Sequence, residues 1–580
     1  YGDHRDLHRV DRRQRQMCIR DSSLSSALML AAIAAFLGVF LVYPLAVMLI
    51  QSVYFNGRFT LDFIAALFTN ISNRISLWNT LQIGIYTTLL STVIALPMAW
   101  IFARYSFPGK ALMNGLALVP MIMPPFVGAL GMKYIFGRSG SINLLLEHLG
   151  LPMIDWFGGG MLGVILLEVL HLYPIMFLNV AAALANVDPA MEEAARNLGA
   201  SPWRIFRTVT FPLMLPGYFA GAVIVFIWAF TDPGAPLIFE FRNCIPVQIF
   251  DRLNDMNENP VGYALVVLML VISLAFFMLS KWLSQRRAVI STGKGATVST
   301  ERKPRALGTA AIYLFLAIIT LVALLPHASV LGVAVSQRWC MTILPEQFTI
   351  KYFHLALTHR LAASSIRNSL ILSASSTAIV VVIGVVLGYL FVRRKNPLLE
   401  WFDSLVMLPL AVPGIVLAFG YVACFRSWNI GPFSLNPQVN PFPLLIICYS
   451  VRRLPYMVRS AYAGFQQLSE TLEEAGRNLG ASSARVVRRI TIPLMSSHIL
   501  AGAILAFTFA MFEVGSTLVL AFREQDYPIA KAIYMFNMRL GDGPNIASAM
   551  GILGMILLSI SLVIVGTILG QRMGELFRTR

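Results

Sequence analysis

The chain has 580 residues, of which 57% are hydrophobic and only 13% charged, with a mean hydropathy of +0.71. A soluble globular chain usually carries about 25% charged residues, so this one lacks the polar surface to cover itself in water, and lipid is its expected solvent. Its net charge of +17 and pI near 9.9 do not point to nucleic acid, because the basic residues fall in short segments between apolar runs, as in the cytoplasmic loops of membrane proteins.

In chain order, residues 1–25 come first. Tyr1 to Asp21 is almost devoid of apolar residues, and residues 17–22 (MCIRDS) resemble translated sequencing adapter. This stretch is read as a non-native or disordered tail, with no cleavable signal peptide expected. A spanning helix needs about 20 mostly apolar residues. A first domain, 26–284, holds such runs at 26–50, 78–104, 111–136, 161–187, 214–240 and 260–283. A linker follows at 285–307, in which Arg287 to Arg305 mixes charges with Ser, Thr and Gly and reads as a flexible cytoplasmic joint. A second domain, 308–580, holds runs at 308–336, 366–392, 400–425, 441–463, 498–521 and 548–571. The runs are continuous rather than alternating, which predicts helices and not a barrel. The fold class is therefore an all-α polytopic membrane protein of two tandem six-helix units, with about 12 transmembrane helices.

With both termini inside, Arg104, Lys110, Arg196, Arg204, Arg207, Arg393, Arg394, Arg485, Arg488 and Arg489 fall on the cytoplasmic side. Asp251, Asp255, Glu524, Asp526 and Asp542 fall outside. This is the positive-inside pattern in both halves. The five cysteines form no CxxC pair; Cys244 and Cys340 would share the outer side, where two unpaired thiols are expected over a bridge.

The halves repeat. Glu193-Ala-Ala-Arg-Asn-Leu-Gly199-Ala-Ser matches Glu474-Ala-Gly-Arg-Asn-Leu-Gly480-Ala-Ser at an offset of 281, which also pairs Pro212 with Pro493 and Pro174 with Pro455. Earlier in each half the offset is 289, pairing Asn79 with Asn368, Pro120 with Pro409 and Pro124 with Pro413. Apolar composition cannot generate the polar Arg-Asn-Leu-Gly-Ala-Ser core by chance. An even number of spans per unit sets the pseudo-twofold axis along the membrane normal, with cargo expected between the copies.

The duplicated segment reads as helix, glycine turn, helix. Asp188-Pro189 starts a short helix, Gly199 ends it in a left-handed turn, and Ser201-Pro202 starts another. Ile205, Phe206 and Val209 would share one face suited to docking, and Val486, Val487 and Ile490 do the same in the second copy, which runs from Glu473 to Leu479. An amphipathic loop lying on lipid headgroups would explain the arginines and the apolar face. It would not explain the same polar core at a fixed length twice.

Both loops resemble the EAA motif of permeases of type I ATP-binding-cassette (ABC) importers, built of MetI-like permease units. In that family the loop forms coupling helices that sit in grooves of the ATPase subunits. The resemblance carries over to Glu193, Ala194, Ala195, Gly199 and Pro212, and to Glu474, Ala475, Gly480 and Pro493, with Phe206 and Val487 among the docking residues. Gly476 departs from the motif's second alanine. The fused layout resembles the ferric-iron permeases and their relatives for thiamine and aminoalkylphosphonate. The resemblance implies a permease subunit of a binding-protein-dependent importer in the bacterial inner membrane. It implies two ABC ATPase subunits and an extracytoplasmic solute-binding protein as partners, with ferric iron the first choice of cargo. Thiamine, 2-aminoethylphosphonate and polyamine are the alternatives, and an ion-coupled secondary transporter is the rival class.

The expected chain is no enzyme and binds no cofactor or metal, ATP and Mg residing on the partner ATPase. It has no GxxxxGK[ST] loop, no HExxH and no metal-ligand cluster. Ionisable residues inside apolar runs cost at least about 2.5–3.5 kcal/mol at the bilayer centre. His171, Asp232, Arg452, Arg453 and Glu513 are therefore candidates for the translocation path or gate. The competing reading makes them structural ties, Arg452 or Arg453 with Glu513 and His171 with Asp232. Gly234 and Gly515 beside the acids would permit a break.

Overall fold

The computed structural model describes residues 27–55, 57–185, 187–253, 255–256, 260–288, 302–339, 341–394, 396–430 and 433–576. The tail, most of the linker and Cys340 lie outside the described residues; Cys244 is a free, buried thiol whose Sγ lies 3.4 Å from Phe241 O.

Among the described residues, nine helices are long and apolar enough to cross a membrane: Ala27–Gln51, Ile71–Arg104, Met161–Ala185, Pro202–Ile238, Val261–Leu283, Ala306–Val335, Arg360–Arg393, Ser483–Met511 and Gly543–Ser561. The third and ninth expected spans are not straight. Each is a helix pair, Lys110–Ile122 with Pro125–His148 bent by 92°, and Pro397–Leu410 with Gly414–Phe425 bent by 99°. The repeated prolines cause both bends. Met123 and Val412 precede Pro124 and Pro413, and the residue before a proline is driven out of helical geometry; Met123, Pro124 and Pro413 are extended. Phe442–Gln467 is long enough to cross, but it carries Arg452, Arg453 and Arg459. It stands where the tenth span was expected, and its charges are answered by other helices, as described below.

The fifth and eleventh spans are also interrupted. The helix from Phe211 stops at Thr231, Asp232 is extended, and a short helix restarts at Gly234–Ile238. In the second half Ile492–Met511 stops before Glu513 and Gly515–Leu520 restarts. Both interruptions leave an acid at the break.

Neither half completes its own core. Tyr43–Gln51 of the first half packs on Gly414–Phe425 of the second, and Ala306–Val335 of the second packs on Pro125–Phe136 of the first. Tyr421 Oη donates to Phe40 O at 2.7 Å. Two glycines at equivalent positions permit the approach. A Cβ on Gly131 would strike Ser329 and Val330, and one on Gly420 would press on Pro44 and Met48. The halves thus exchange their first helices.

The repeated asparagines do equivalent work. Asn79 Nδ2 donates to Asn243 O at 2.9 Å, while Asn368 Nδ2 donates to Gln525 O at 2.9 Å and Tyr527 O at 3.2 Å. Each ties the start of a long helix to the segment after the broken span. The eight-residue change of offset falls where expected: Ser141–His148 lies after the third span, whereas the second half has only the hairpin Asn429–Ile430 and Phe433–Ser434. Replacing Asn368 by leucine leaves two carbonyls without a donor, each worth about 1–3 kcal/mol if buried. Asn368→Leu is expected to lower the melting temperature of the purified protein, and unchanged melting would contradict this role.

Candidate functional site

The loop of the first half begins with Asp188, whose side chain accepts from Ala190 N at 2.9 Å and caps the helix Pro189–Asn197. Gly199 takes φ +80°, Gly199 N donates to Arg196 O at 2.9 Å and Ala200 N to Ala195 O at 3.1 Å. This bond pair is a Schellman end, and the left-handed residue is why a glycine stands there. Ser201 Oγ caps the next helix, accepting from Arg204 N at 3.4 Å. The second copy closes the same way: Gly480 has φ +83°, and Ala481 N donates to Gly476 O at 3.1 Å. Its first helix spans Glu470–Asn478 and is capped by Ser469, so it starts earlier than the sequence reading placed it. Each loop then passes through one π-helical stretch, Phe206–Thr210 or Val487–Thr491, into its span. Pro212 and Pro493 sit in the first turn after that stretch, where a missing N–H costs least.

What the loops present is not quite the face expected. Phe206 is half-buried, edge-on to Trp100 at 5.6 Å, against Phe211 at 5.7 Å and stacked on the exposed Trp203 at 5.6 Å. The apolar residues left outside include Leu198 and Leu479, each 89% exposed, with Met191 and Trp203 in the first loop and Leu472 and Val487 in the second. Glu193, Ala194, Glu474 and Ala475 are exposed too, and Ala195 is half-buried.

Sequence reasoning missed the anchoring residues. Glu192 and Glu473, one position before each motif glutamate, are buried. Thr210 Oγ1 donates to Glu192 Oε1 at 2.7 Å, and Thr491 Oγ1 to Glu473 Oε1 at 3.0 Å. Arg104, at the end of the second span, pairs with Glu192. Its equivalent Arg393 lies 3.9 Å from Glu473, donates to Glu470 Oε1 at 3.2 Å and donates to Leu468 O at 2.8 Å. The same glutamate–threonine–arginine lock therefore clamps each loop to a neighbouring span. The signal was present: the Glu and Thr repeat at 281 and the Arg at 289.

Gly476 has a packing cause. A Cβ there would sit 2.7 Å from Ile490 Cδ1. The first loop has Ala195 and Val209 at the equivalent positions. One methyl has moved across the contact, from the helix to the residue facing it, and the departure from the motif is compensated.

The five intramembrane candidates meet in one place. His171, Asp232, Arg452, Arg453 and Glu513 all line a cavity of about 210 Å³ between the halves, together with Glu168, Trp228, Phe509 and both helix breaks. Arg452 and Arg453 each pair with one oxygen of Glu513, and Ser516 Oγ donates to Glu513 Oε1 at 2.9 Å. Arg453 also donates to Phe509 O at 2.9 Å. Gly414 lies against this cluster, where a side chain would collide with Arg452 and Glu513. The expected tie of His171 to Asp232 does not form. His171 Nδ1 lies 3.2 Å from Pro120 O, and Asp232 accepts from Ala235 N at 2.8 Å and shares the cavity lining with Glu168. Glu168, likewise an ionisable residue inside an apolar run, joins these residues from the same helix as His171, one turn before it. Two other charged residues of the spans are paired away from the cavity: Lys133 Nζ donates to Glu240 Oε1 at 2.7 Å, and Arg459 donates to Asp403 Oδ2 at 2.7 Å. The Lys133 ammonium holds the Glu240 carboxyl below its ordinary range.

Loop and cavity are two ends of one element. Ser483–Met511 runs for 29 residues from the second loop to the break beside Glu513, about 44 Å at 1.5 Å per residue. Pro202 to Thr231 does the same for Asp232.

Residues 91–289 and 380–575 match the family "Binding-protein-dependent transport system inner membrane component". The chain is 27% identical over 513 residues to the "Probable ABC transporter permease protein y4fN" of Sinorhizobium fredii, covering 86% of each chain. It is 27% identical over 523 residues to the "Ferric transport system permease protein FbpB" of Actinobacillus pleuropneumoniae, covering 87% of this chain and 72% of the relative. The "Molybdenum transport system permease protein ModB" of Escherichia coli is 32% identical over 225 residues, which is 37% of this chain and 94% of ModB.

Two expectations follow from the loops. Gly476→Ala overpacks Ile490, at a cost of about 1–3 kcal/mol, and Ile490→Val is expected to restore the loss; hydrogen exchange over 469–491 in the single and double variants reads the coupling. Glu473→Ala is expected to speed exchange in that segment strongly and Glu474→Ala hardly at all; equal effects would refute the anchoring role of the buried glutamate.

Proposed function

The chain belongs to the family of binding-protein-dependent transport system inner membrane components, and from that premise we propose that it is the permease of an ATP-driven importer of ferric iron. Membership removes the rival reading as an ion-coupled secondary transporter. The observation that carries the mechanical part is the pair of clamped loops, each with an exposed leucine beyond a left-handed glycine, at the same end of two long helices. We place these loops in the cytoplasm, each in a groove of one ATPase subunit; ATP and Mg belong to that partner. A solute-binding protein delivers cargo at the opposite face.

The geometry supplies a route for force. A push on a loop enters the Glu192–Arg104 or Glu473–Arg393 lock and the span that follows. That span ends at an acid lining the cavity. Closure of the two ATPase subunits moves the two loops together, and the acids at the far ends of the levers move with them. Because both halves are fused, one chain offers both docking loops. Iron is the preferred cargo because a relative named for ferric transport aligns along most of the chain, whereas the one named for molybdenum aligns with little more than a third of it.

A β-branched residue at φ near +80° is strained by roughly 1–2 kcal/mol, enough to unfold the turn without touching the spans. The Gly199→Val, Gly480→Val double variant is expected to insert normally, to lose the co-purifying ATPase, and to lower uptake of radiolabelled ferric iron about ten-fold or more. Wild-type uptake by the double variant would remove the assignment, as would labelling of a Leu198→Cys variant by an impermeant reagent from outside.

A further inference from the structure

The cavity between the halves has two unlike walls. On the first-half wall, Glu168, 1% exposed, lines the cavity together with Asp232, and Glu168 Oε1 finds no donor. Two carboxyl groups sharing a low-dielectric site cannot both stay ionised without something positive between them. A proton or a cation has to stand there. On the second-half wall, Arg452 and Arg453 share the single carboxylate of Glu513, which leaves one positive charge over. The buried Nε atoms of both arginines find no acceptor, although Arg453 is only 8% exposed. Orphaned buried donors and acceptors are costly and call for a partner.

The orphans are complementary across the cavity. One wall lacks a donor or cation, and the other lacks an acceptor or anion. The volume of about 210 Å³ is far more than a single water needs, so the cavity has room for a small solute.

We propose that this cavity is a binding site for a small solute carrying both signs of charge, its positive centre against Glu168 and Asp232 and its anionic oxygens against Arg452 and Arg453. This rests on the importer reading and sharpens it, because a bare cation satisfies only one wall. Two sources share the chemistry: a ferric ion travelling with an anionic chelator, and a zwitterion that joins an ammonium to an acidic group.

The test uses the full chain in nanodiscs, with fluorescence of Trp228, which lines the cavity, compared with a Trp228→Phe control. The probes are ferric citrate, citrate alone and 2-aminoethylphosphonate. Saturable binding of ferric citrate identifies the chelated ion as the source, and binding of 2-aminoethylphosphonate identifies the zwitterion. In either case Glu168→Gln and Arg453→Gln are each expected to weaken binding about ten-fold or more, the loss of one charge-assisted hydrogen bond. Arg453→Lys, which keeps the charge and removes the Nε donor, covers the event that Arg453→Gln misfolds and is expected to show the same weakening. Wild-type affinity in the arginine variants would leave a site for cations only; wild-type affinity in Glu168→Gln, or citrate binding as tightly as ferric citrate, would leave a site for anions only. Either result overturns the proposal, as does saturation by none of the probes. Since this readout needs neither ATPase nor binding protein, its failure leaves the loop assignment standing, and failure of the loop variants leaves the binding result standing.

Discussion

A charge taken out of water and placed among hydrocarbon has to be answered within bonding distance, and this one requirement orders much of the molecule. It decides that a helix with three arginines can stand among the spans, because Arg452 and Arg453 turn to Glu513 and Arg459 to Asp403. It decides where the loops attach, since buried Glu192 and Glu473 are held only where Arg104 and Arg393 end their helices. Buried ion pairs add little net stability compared with apolar packing. Their value lies in geometry, because each can close in one arrangement.

That geometry links places far apart in the sequence. The loop, its lock, a single π-helical stretch and a long helix form one body that ends at an acid in the central cavity. Exchange of the first helices binds the halves around the same cavity. Each half thus packs against one helix of the other.

Much of this was legible in the sequence. Long apolar runs gave the spans, because a membrane helix needs little beyond length and composition. The offset of 281 gave the loops, and Asp188, Gly199, Ser201 and Gly480 stand where capping chemistry puts them. The bends at Pro124 and Pro413 were visible as repeated prolines, yet a continuous apolar run concealed that the chain turns there. The burial of Glu192 and Glu473 was hidden because burial is a tertiary fact. A motif directs attention to the glutamate that is shared, whereas the neighbouring one makes the contact. His171 was matched with Asp232 because the offset aligned them with Arg452 and Glu513. The first half solves the problem differently, with Glu168, and a repeat in sequence does not guarantee a repeat in pairing. Gly476 stood out as a departure from the motif and is half of a compensated exchange with Ile490.

The opposed walls of the cavity also bear on why two units share one chain. A permease assembled from two identical subunits would set carboxyls against carboxyls across its axis, or guanidinium against guanidinium, and self-repulsion would push such a chamber toward neutral linings. Tandem fusion lifts that symmetry. Each unit is free to specialise in one polarity, and the covalent joint guarantees that every assembled pore receives one of each kind.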